Sequence, residues 1–162
     1  MAPDLREDIR QRKPFTTLEQ EAQLSVVRTA SLLVDAFEQM LKPHGITATQ
    51  YNVLRILRGA EPEGLCRNEL RDRMLTRMPD VTRLLDRMED AKLVSRSRSS
   101  EDRRLVSTRI TPKGLRLLDE LEDAVAEEHM RRFHHLSKTE LKSLIELLKG
   151  VRERVALHGP QP

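Results

Sequence analysis

The chain contains 162 residues, of which 34% are charged and 38% hydrophobic, and its formal net charge is +3. Its one cysteine excludes an internal disulfide framework and a multi-cysteine zinc site, and no apolar run approaches the roughly 20 residues that span a bilayer. The N-terminus also lacks the apolar core of a signal peptide. These features predict a single-domain cytoplasmic protein without a membrane partner.

The N-terminal segment begins polar and then becomes helical. Residues 1–15 are polar and contain two prolines, which predicts a mobile arm. Thr16 and Glu19 have the spacing of a capping box, in which each side chain satisfies the other residue's backbone donor. Apolar residues then recur at helical spacing, which predicts a long helix to about Leu41, where a proline and a glycine follow.

Two shorter helices follow in the sequence. Thr47 and Gln50 form a second capping box that predicts the start of one helix. A turn over residues 59–64 separates it from a helix covering roughly Cys66 to Met74.

A fourth helix is predicted after a break of a few residues. Thr76 can cap this helix, and Pro79 would lie in its first turn, where proline costs little free energy. One face is apolar and the opposite face is polar, so we expect the apolar face to be buried. The predicted inner residues are Val81, Leu84, Leu85 and Met88.

A basic hairpin is predicted next. Leu93–Arg98 and Leu105–Ile110 alternate in polarity around a polar tip, which is typical of paired strands. From Arg67 to Arg104 there are 11 basic and 8 acidic residues, a surplus equal to that of the whole chain. A slender helix followed by a basic hairpin predicts a winged helix-turn-helix that binds duplex DNA.

The C-terminal part is predicted to be helical. Thr111-Pro112 is a cap followed by proline at the first helical position, and Ser137 with Glu140 opens a final helix. The terminal helices carry more apolar residues than one chain can cover, so we expect a symmetric homodimer on a pseudo-palindromic operator. The predicted fold is mainly α with a small β-hairpin wing (α+β): a winged helix-turn-helix over 47–114, dimerisation helices over 16–46 and 115–155, and a flexible tail over 156–162.

The order of these elements resembles the MarR (multiple antibiotic resistance regulator) family of transcription factors, over roughly Thr16 to Val155. The segments that carry the resemblance are ITATQYNVLRIL and VTRLLDRMEDAKLVSRSRSSEDRRLVSTRITPKG, above all Asp102-Arg103-Arg104 followed by Thr111-Pro112-Lys113-Gly114. The family usually has glycine where this chain has Lys92. Because a left-handed conformation costs lysine free energy, we expect the fourth helix to end differently here.

The resemblance implies a homodimer that binds duplex DNA and usually represses nearby genes, in the cytoplasm of a bacterium or archaeon and associated with the nucleoid. Many members release DNA when a small organic ligand, often phenolic or amphipathic, enters the cleft between the dimerisation helices and the DNA-binding lobe. An effector of this kind is therefore expected.

Groove-facing residues are predicted on the fourth helix and just before it. An arginine there could bond bidentately to guanine, and a threonine could contact a phosphate or a thymine methyl group. For each single residue, the alternative is a solvated helix face. The predicted set is Thr76, Arg77, Pro79, Asp80, Thr82, Arg83 and Arg87.

The predicted wing residues are Arg98, Asp102, Arg103 and Arg104. The guanidinium of Arg104 is expected to enter a minor groove. The family role of an acid at Asp102 is to hold this arginine by a charge-assisted hydrogen bond. We expect Arg98 and Arg103 to touch phosphates or to remain in solvent.

An effector pocket could be lined by Val34, Phe37, Tyr51 and Leu54, although the same spacing also describes ordinary core. Cys66 has two possible roles. Its thiol could sense oxidants in a redox-responsive regulator, or it could be a partly buried structural thiol, which is favoured. Four histidines could suggest a zinc site, but no carboxylate lies at a suitable ligand spacing from them. Solvated or helix-capping roles are therefore favoured. The four histidines are His44, His129, His134 and His135.

Three other classes of protein compete with a specific regulator. An enzyme is disfavoured because no nucleophile–base pair, phosphate-binding glycine loop or metal-ligand run is visible, so no cofactor, metal or catalytic residue is predicted. A non-specific architectural DNA-binding protein would have a more basic surface than a net charge of +3. A protein-interaction winged helix would not need the arginines of the fourth helix and wing.

Overall fold

A computed structural model of the chain describes residues 4–98 and 106–157. The chain divides into two compact units, Met1–Asp119 and Glu120–Pro162. Most of the buried apolar side chains belong to the first unit, so the position of the candidate site is decided there.

The secondary structure of the described ranges is mainly helical. The helices are α1 (Leu5–Asp8), α2 (Leu18–Leu41), α3 (Ala48–Arg58), α4 (Arg67–Arg73), α5 (Val81–Asp90), α6 (Pro112–Phe133) and α7 (Lys138–Leu157). The strands are β1 (Leu65–Cys66), β2 (Val94–Arg98) and β3 (Val106–Ile110), and a 3₁₀ turn covers Lys42–His44. This confirms the predicted mainly helical fold with a small sheet.

The N-terminus of α2 differs by one residue from the prediction. Thr17, not Thr16, is the N-cap, since its Oγ1 accepts the backbone N–H of Gln20 at 3.2 Å. The Gln20 side chain in turn accepts the N–H of Thr16 at 2.7 Å. The predicted pairing of Thr16 with Glu19 is therefore wrong. Two adjacent threonines both suit the cap, and Thr17 takes it because its backbone is extended directly before the first helical residue, Leu18.

The short helix α1 lies within the segment for which the sequence predicts an arm. Arg28 of α2 donates from Nε to Asp8 Oδ2 at 2.6 Å and from Nη2 to Asp8 Oδ1 at 3.2 Å. The hydrogen bond from Arg28 lowers the pKa of the Asp8 carboxyl. Two parallel bonds of this kind define the orientation of α1 on α2.

The capping box of Thr47 and Gln50 is confirmed at the start of α3. The helix it opens supplies the centre of the first unit, because its Leu54 and Leu57 are completely buried. Burial of such side chains is the main favourable term in folding. The other buried apolar side chains of this unit include Leu41, Ile46, Val53, Leu65, Leu70, Val81, Leu84, Leu85, Met88, Leu93, Val94, Ile110 and Leu118.

The sheet has three antiparallel strands in the order β1-β3-β2, one more than the predicted hairpin. Leu65 pairs with Thr108, and Val94 pairs with Ile110. Cys66 therefore belongs to β1 and is the N-cap of α4, so the helix predicted over roughly Cys66 to Met74 is confirmed to within one residue at each end. A strand of two residues is too short to show alternation in sequence, so only its pairing with β3 reveals it.

The start of α5 also corrects the prediction. Asp80 is the N-cap, and its Oδ1 accepts the backbone N–H of Arg83 at 2.9 Å. Thr76 does not cap this helix, and Pro79 lies before it rather than in its first turn. An aspartate at the helix boundary takes the role because its carboxylate satisfies an otherwise unpaired donor at the positive end of the helix dipole.

The end of α5 contradicts the expectation that Lys92 would avoid the left-handed conformation. Lys92 has a φ of 59°. The N–H of Leu93 donates to the Met88 carbonyl at 2.9 Å, and that of Lys92 donates to the Glu89 carbonyl at 2.8 Å. These two bonds form a Schellman motif, and Met88 and Leu93 are both buried. The lysine is held in the position that glycine usually takes.

Replacing Lys92 by glycine is expected to raise the free energy of unfolding by about 1 kcal/mol. Glycine adopts a positive φ without the steric cost that an L side chain carries there. The change is measured from the midpoint of urea unfolding. Gly45→Ala is the matched control: Gly45 has a φ of 71° and open space around its added Cβ, so this substitution should lower stability by a similar amount. Unchanged or lower stability of Lys92→Gly would contradict the left-handed ending.

The second unit contains α7 and the part of α6 from Glu120 onward. The capping box of Ser137 and Glu140 is confirmed at the start of α7, with the Ser137 N–H donating to Glu140 Oε2 at 2.8 Å. On α6 the buried Glu128 is bonded by Arg131 and by Arg132 Nε at 2.7 Å. The hydrogen bond from Arg131 and that from Arg132 lower its pKa.

None of the helices in the described ranges has the length and apolar character that spanning a bilayer requires.

Candidate nucleic-acid interface

Helix α5 combines a buried apolar face with an exposed polar one. Its four buried residues are those predicted from the sequence, and they anchor the helix to the core. The side chains of Thr82, Arg83 and Arg87 are exposed on the other face. A helix held in this way can offer its polar face to the edges of bases in a major groove. The predicted inner stripe is Val81, Leu84, Leu85 and Met88, all confirmed as buried.

The predicted groove-facing residues lie on two different elements. Asp80 begins α5 as its N-cap, and its Oδ2 lies 3.6 Å from Arg83 Nε. Thr76, Arg77 and Pro79 lie in the exposed connection between α4 and α5. This connection is held in part by the bond from the Leu75 N–H to Asn52 Oδ1, at 3.1 Å. The structure therefore places most of the set at the N-terminal end of α5 and in the segment that leads into it, whereas Arg87 lies in the last turn of the helix.

Arg96 of β2 connects the wing to α5, and the sequence analysis missed it. Its Nε and Nη2 donate to Glu89 Oε2 at 2.8 and 2.6 Å, and Nη2 also contacts Asp86 Oδ1 at 2.7 Å. The backbone N–H of Arg96 donates to Glu89 Oε1 at 3.0 Å. The hydrogen bond from Arg96 lowers the pKa of Glu89, and the bond to Glu89 raises that of Arg96. Strand alternation could have indicated this contact, because Arg96 shares a face with the buried Val94.

The start of α6 is fastened to the end of α5 by the residues of the Thr111–Gly114 signature. Thr111 Oγ1 donates to the Lys92 carbonyl at 2.7 Å and accepts the Gly114 N–H at 3.1 Å. Lys113 Nζ donates to the Ala91 carbonyl at 2.8 Å. A Cβ added to Gly114 would lie 2.5 Å from the Leu93 carbonyl oxygen, so this position has no room for a side chain. The predicted cap at Thr111 is confirmed, and it also holds the C-terminal end of α5.

The structure describes only the base of the wing. Arg98 ends β2 and is exposed. Asp102, Arg103 and Arg104, the predicted wing-tip residues, lie outside the described residues. The sheet therefore gives the origin of the wing, directly after the contact of Arg96 with α5.

The predicted effector residues lie on α2 and α3 in different surroundings. Phe37 and Tyr51 make an edge-to-face contact with ring centroids 5.3 Å apart, and Tyr51 and Leu54 are buried. Val34 is exposed. The structure thus brings three of the four into or beside the core and places the fourth at the surface.

Cys66 and the histidines do not converge on a metal site in the described parts of the chain. Cys66 is half-buried at the junction of β1 and α4, where its backbone N–H donates to Glu69 Oε2 at 2.8 Å. His134 Nδ1 lies 2.9 Å from the Arg131 carbonyl oxygen, and the rings of His134 and His135 are 6.0 Å apart. No three His, Cys, Asp or Glu side chains of residues 4–98 and 106–157 are grouped so as to hold a metal ion.

Known proteins share this arrangement. A family model described as MarR family matches residues 44–105. The HTH-type transcriptional regulator MhqR of Bacillus subtilis (strain 168) is 30% identical over 129 residues, covering 78% of this chain and 83% of MhqR. A MarR transcription factor from Planctomyces limnophilus is 40% identical, with a TM-score of 0.65 over 84% of this chain and 98% of its own.

Structures solved with DNA have the same fold. The MepR–DNA complex of S. aureus has a TM-score of 0.73 over 80% of this chain and 96% of its own, at 24% identity. Three observations indicate the same family. They are the family model, the sequence identity to MhqR and to the Planctomyces protein, and the shared winged-helix fold. The chain belongs to the MarR family and is a DNA-binding transcription regulator with a winged helix-turn-helix fold.

Proposed function

We propose that the protein is a homodimeric repressor that binds a pseudo-palindromic operator with sequence specificity and releases it when a small organic effector binds. The observation that carries the DNA part is the attachment of β2 to α5 through Arg96, Glu89 and Asp86. Because this attachment links β2, the first strand of the wing, directly to α5, the wing and α5 are held in a fixed relative position when they contact DNA. Such preorganisation supports recognition of a defined site.

The charges around α5 support specific rather than architectural binding. Asp80, Asp86 and Glu89 place carboxylates on or beside the same helix as Arg83 and Arg87. Carboxylates repel phosphates, so they weaken the sequence-independent electrostatic attraction that dominates non-specific binding. A larger share of the binding free energy of Arg83 and Arg87 must then come from bidentate contacts to guanine, which only particular sequences offer.

A second copy of the chain is the proposed partner of the apolar surfaces on α2 and α7. Helix α7 has 20 residues and none of them is buried. Leu147, Val151 and Val155 recur every four residues along it, and all three are exposed. Extended apolar surface of this kind usually marks an interface with another protein. Exposed apolar residues on α2 are Leu18, Val26, Val27, Leu32 and Val34.

The effector part of the proposal is supported by related proteins. CouR from Rhodococcus jostii RHA1, which has the same fold, was solved bound to p-coumaroyl-CoA and also bound to a 23-mer DNA duplex. We propose an organic ligand for this chain as well, with the aromatic pair Phe37 and Tyr51 as part of its site. In the DNA-binding assay below, a titrated panel of phenolic acids should raise the apparent Kd. No effect across the panel would contradict the effector part alone.

The DNA part is tested with a duplex from the intergenic region upstream of the protein's own gene. We expect it to bind about a thousandfold more tightly than a scrambled duplex of the same composition, near physiological salt, because base contacts discriminate at several positions. Fluorescence anisotropy measures both dissociation constants under one salt condition. Equal affinity for the two duplexes would refute the specific repressor.

The homodimer is tested by sedimentation equilibrium of the full chain. We expect a dimer for the natural chain and a monomer for Val151→Asp, because a carboxylate in a buried apolar interface would lose its hydration without a partner. Glu153→Ala is the control, since Glu153 is an exposed polar residue of the same helix. A natural chain that stays monomeric at micromolar concentration would refute the dimer.

A further inference from the structure

An open cavity of about 440 Å³ lies where α4, α5 and the sheet meet. It adjoins the polar face of α5, and of the residues discussed in the sequence analysis Cys66, Thr82 and Leu85 line it. Its lining is mixed, with cationic and hydroxyl groups beside apolar ones. Residues that line it include Arg67, Asn68, Thr82, Leu85, Arg96 and Thr108.

Arg67, the first residue of α4, forms a hydrogen bond to α5 across this cavity. Its Nη1 donates to Thr82 Oγ1 at 3.3 Å, and both side chains are exposed. A guanidinium has several N–H donors in a fixed planar fork, so most of them remain for another acceptor. The Thr82 hydroxyl accepts from Arg67 and keeps its own hydrogen to donate. The two side chains therefore present donors together.

Among the described residues, several arginines of α4, α5 and β2 are charge-compensated by a carboxylate, and Arg67 is not one of them. Arg71 contacts Asp72 at 3.2 Å, Arg83 contacts Asp80 at 3.6 Å, and Arg96 contacts Asp86 at 2.7 Å. In the described part of the chain Arg67 forms no ion pair with a carboxylate. Within residues 4–98 and 106–157 its charge is therefore uncompensated, which favours an anionic ligand that offers only acceptors.

The position of Arg67 identifies this anion. In a helix-turn-helix the second helix lies in the major groove while the first crosses the sugar-phosphate backbone. Here α4 is the first helix and α5 the second, so the beginning of α4 next to Thr82 faces the backbone. A phosphodiester offers oxygen acceptors with a negative charge and no donors, which matches the donors of the two side chains.

We propose that Arg67 and Thr82 form a phosphate clamp that binds one DNA backbone phosphodiester per chain and sets how α5 enters the groove. The inference rests on the DNA binding described above and adds Arg67, which the sequence analysis did not predict, to the phosphate contact that was expected of a threonine such as Thr82. A backbone contact carries no base information. The clamp therefore adds equally to binding of the operator and of any other duplex.

The test compares Arg67→Ala with the natural 162-residue chain by fluorescence anisotropy, on operator and scrambled duplexes over a series of KCl concentrations. Each phosphate contact contributes about 0.9 to the slope of log affinity against log salt, which corresponds to about fivefold in affinity per chain near 0.15 M salt. We expect this loss on both duplexes, with a slope shallower by about 0.9 per chain. Thr82→Val should show a smaller loss on both.

Arg55→Ala is the matched control, because Arg55 is an exposed arginine of α3 outside the cavity and its loss changes the net charge equally. The clamp is refuted if Arg67→Ala weakens binding no more than Arg55→Ala does, or if it weakens binding of the operator alone. A second result would also refute it. If sodium phosphate displaces DNA from the natural chain more than KCl of the same ionic strength does, and Arg67→Ala lacks this effect but binds DNA with unchanged affinity, then the site binds a free anion and not the DNA backbone. Equal binding of both duplexes by the natural chain would refute the specific repressor and leave this comparison intact.

Discussion

Replacing Arg96 by alanine is expected to lower both the stability of the protein and its affinity for DNA. The substitution removes the bonds to Glu89 and Asp86 and leaves a half-buried carboxylate without its partner. Hydrogen bonds to charged groups contribute about 1.5–3 kcal/mol, and we expect the lower end here because solvent screens the partly exposed acids. Urea unfolding measures the stability, and anisotropy with the operator measures the affinity.

The affinity should fall further than the stability loss alone explains. Without Arg96, β2 loses its side-chain attachment to α5, so the wing and the reading helix no longer meet DNA as one preorganised surface. A DNA-bound chain must then restore that arrangement at the expense of binding free energy. At temperatures where the variant is fully folded, the dissociation constant should still be raised.

Two variants provide controls for this prediction. Arg98→Ala removes an exposed arginine from the same strand and should leave the free energy of unfolding nearly unchanged. Arg96→Lys keeps the charge but not the planar fork, so it should restore only part of the stability. If Arg96→Ala unfolds at the same urea concentration as Arg98→Ala, Arg96 does not hold the wing.

Gly114→Ala is expected to destabilise the protein by about 1–3 kcal/mol, the usual range for overpacking. The added Cβ would lie 2.5 Å from the Leu93 carbonyl oxygen, 2.8 Å from Ile110 Cγ1 and 3.2 Å from Leu54 Cδ2. The closest atom belongs to the backbone at the end of α5 and cannot rotate away. The start of α6 must therefore move away from α5, and thermal unfolding should report the loss.

The control for this prediction is Gly150→Ala, in α7. A Cβ added at Gly150 meets nothing within 4 Å, and alanine is favoured over glycine in a helix interior by about 1 kcal/mol. This variant should be slightly stabilised. If Gly114→Ala matches Gly150→Ala, then Gly114 does not mark a close approach. DNA affinity of Gly114→Ala should also fall, because the same contact positions the C-terminal end of α5.

Local patterns in the sequence were sufficient for the helices and their faces. The apolar stripe of α5 is confirmed residue by residue, as are the capping boxes of α3 and α7. Each of these features depends on residues three or four positions apart, which a helix always brings together. The family signature Thr111–Gly114 was also visible in sequence, although its physical reason was not.

Boundaries set by competing residues could not be decided in this way. Thr16 and Thr17 are equally good caps in sequence, and so are Thr76 and Asp80. The connection between α4 and α5 decides the second case, because Leu75 is bonded to Asn52 of α3 and the helix begins only after it. Lys92 shows the same limit: the Schellman bonds and the burial of Leu93 outweigh the cost of its positive φ.

The sequence by itself determined the family, the order of the longer helices and of the two hairpin strands, and the polar face of α5, because these follow from local spacing and from a short signature. Only the tertiary structure decided that β1 joins the sheet, that Arg96 holds the wing to α5, and that Arg67 meets Thr82. Arg67 and Thr82 are 15 positions apart, on two different helices. Contacts of this kind depend on how helices and strands pack, and packing joins residues whose spacing along the chain carries no signal.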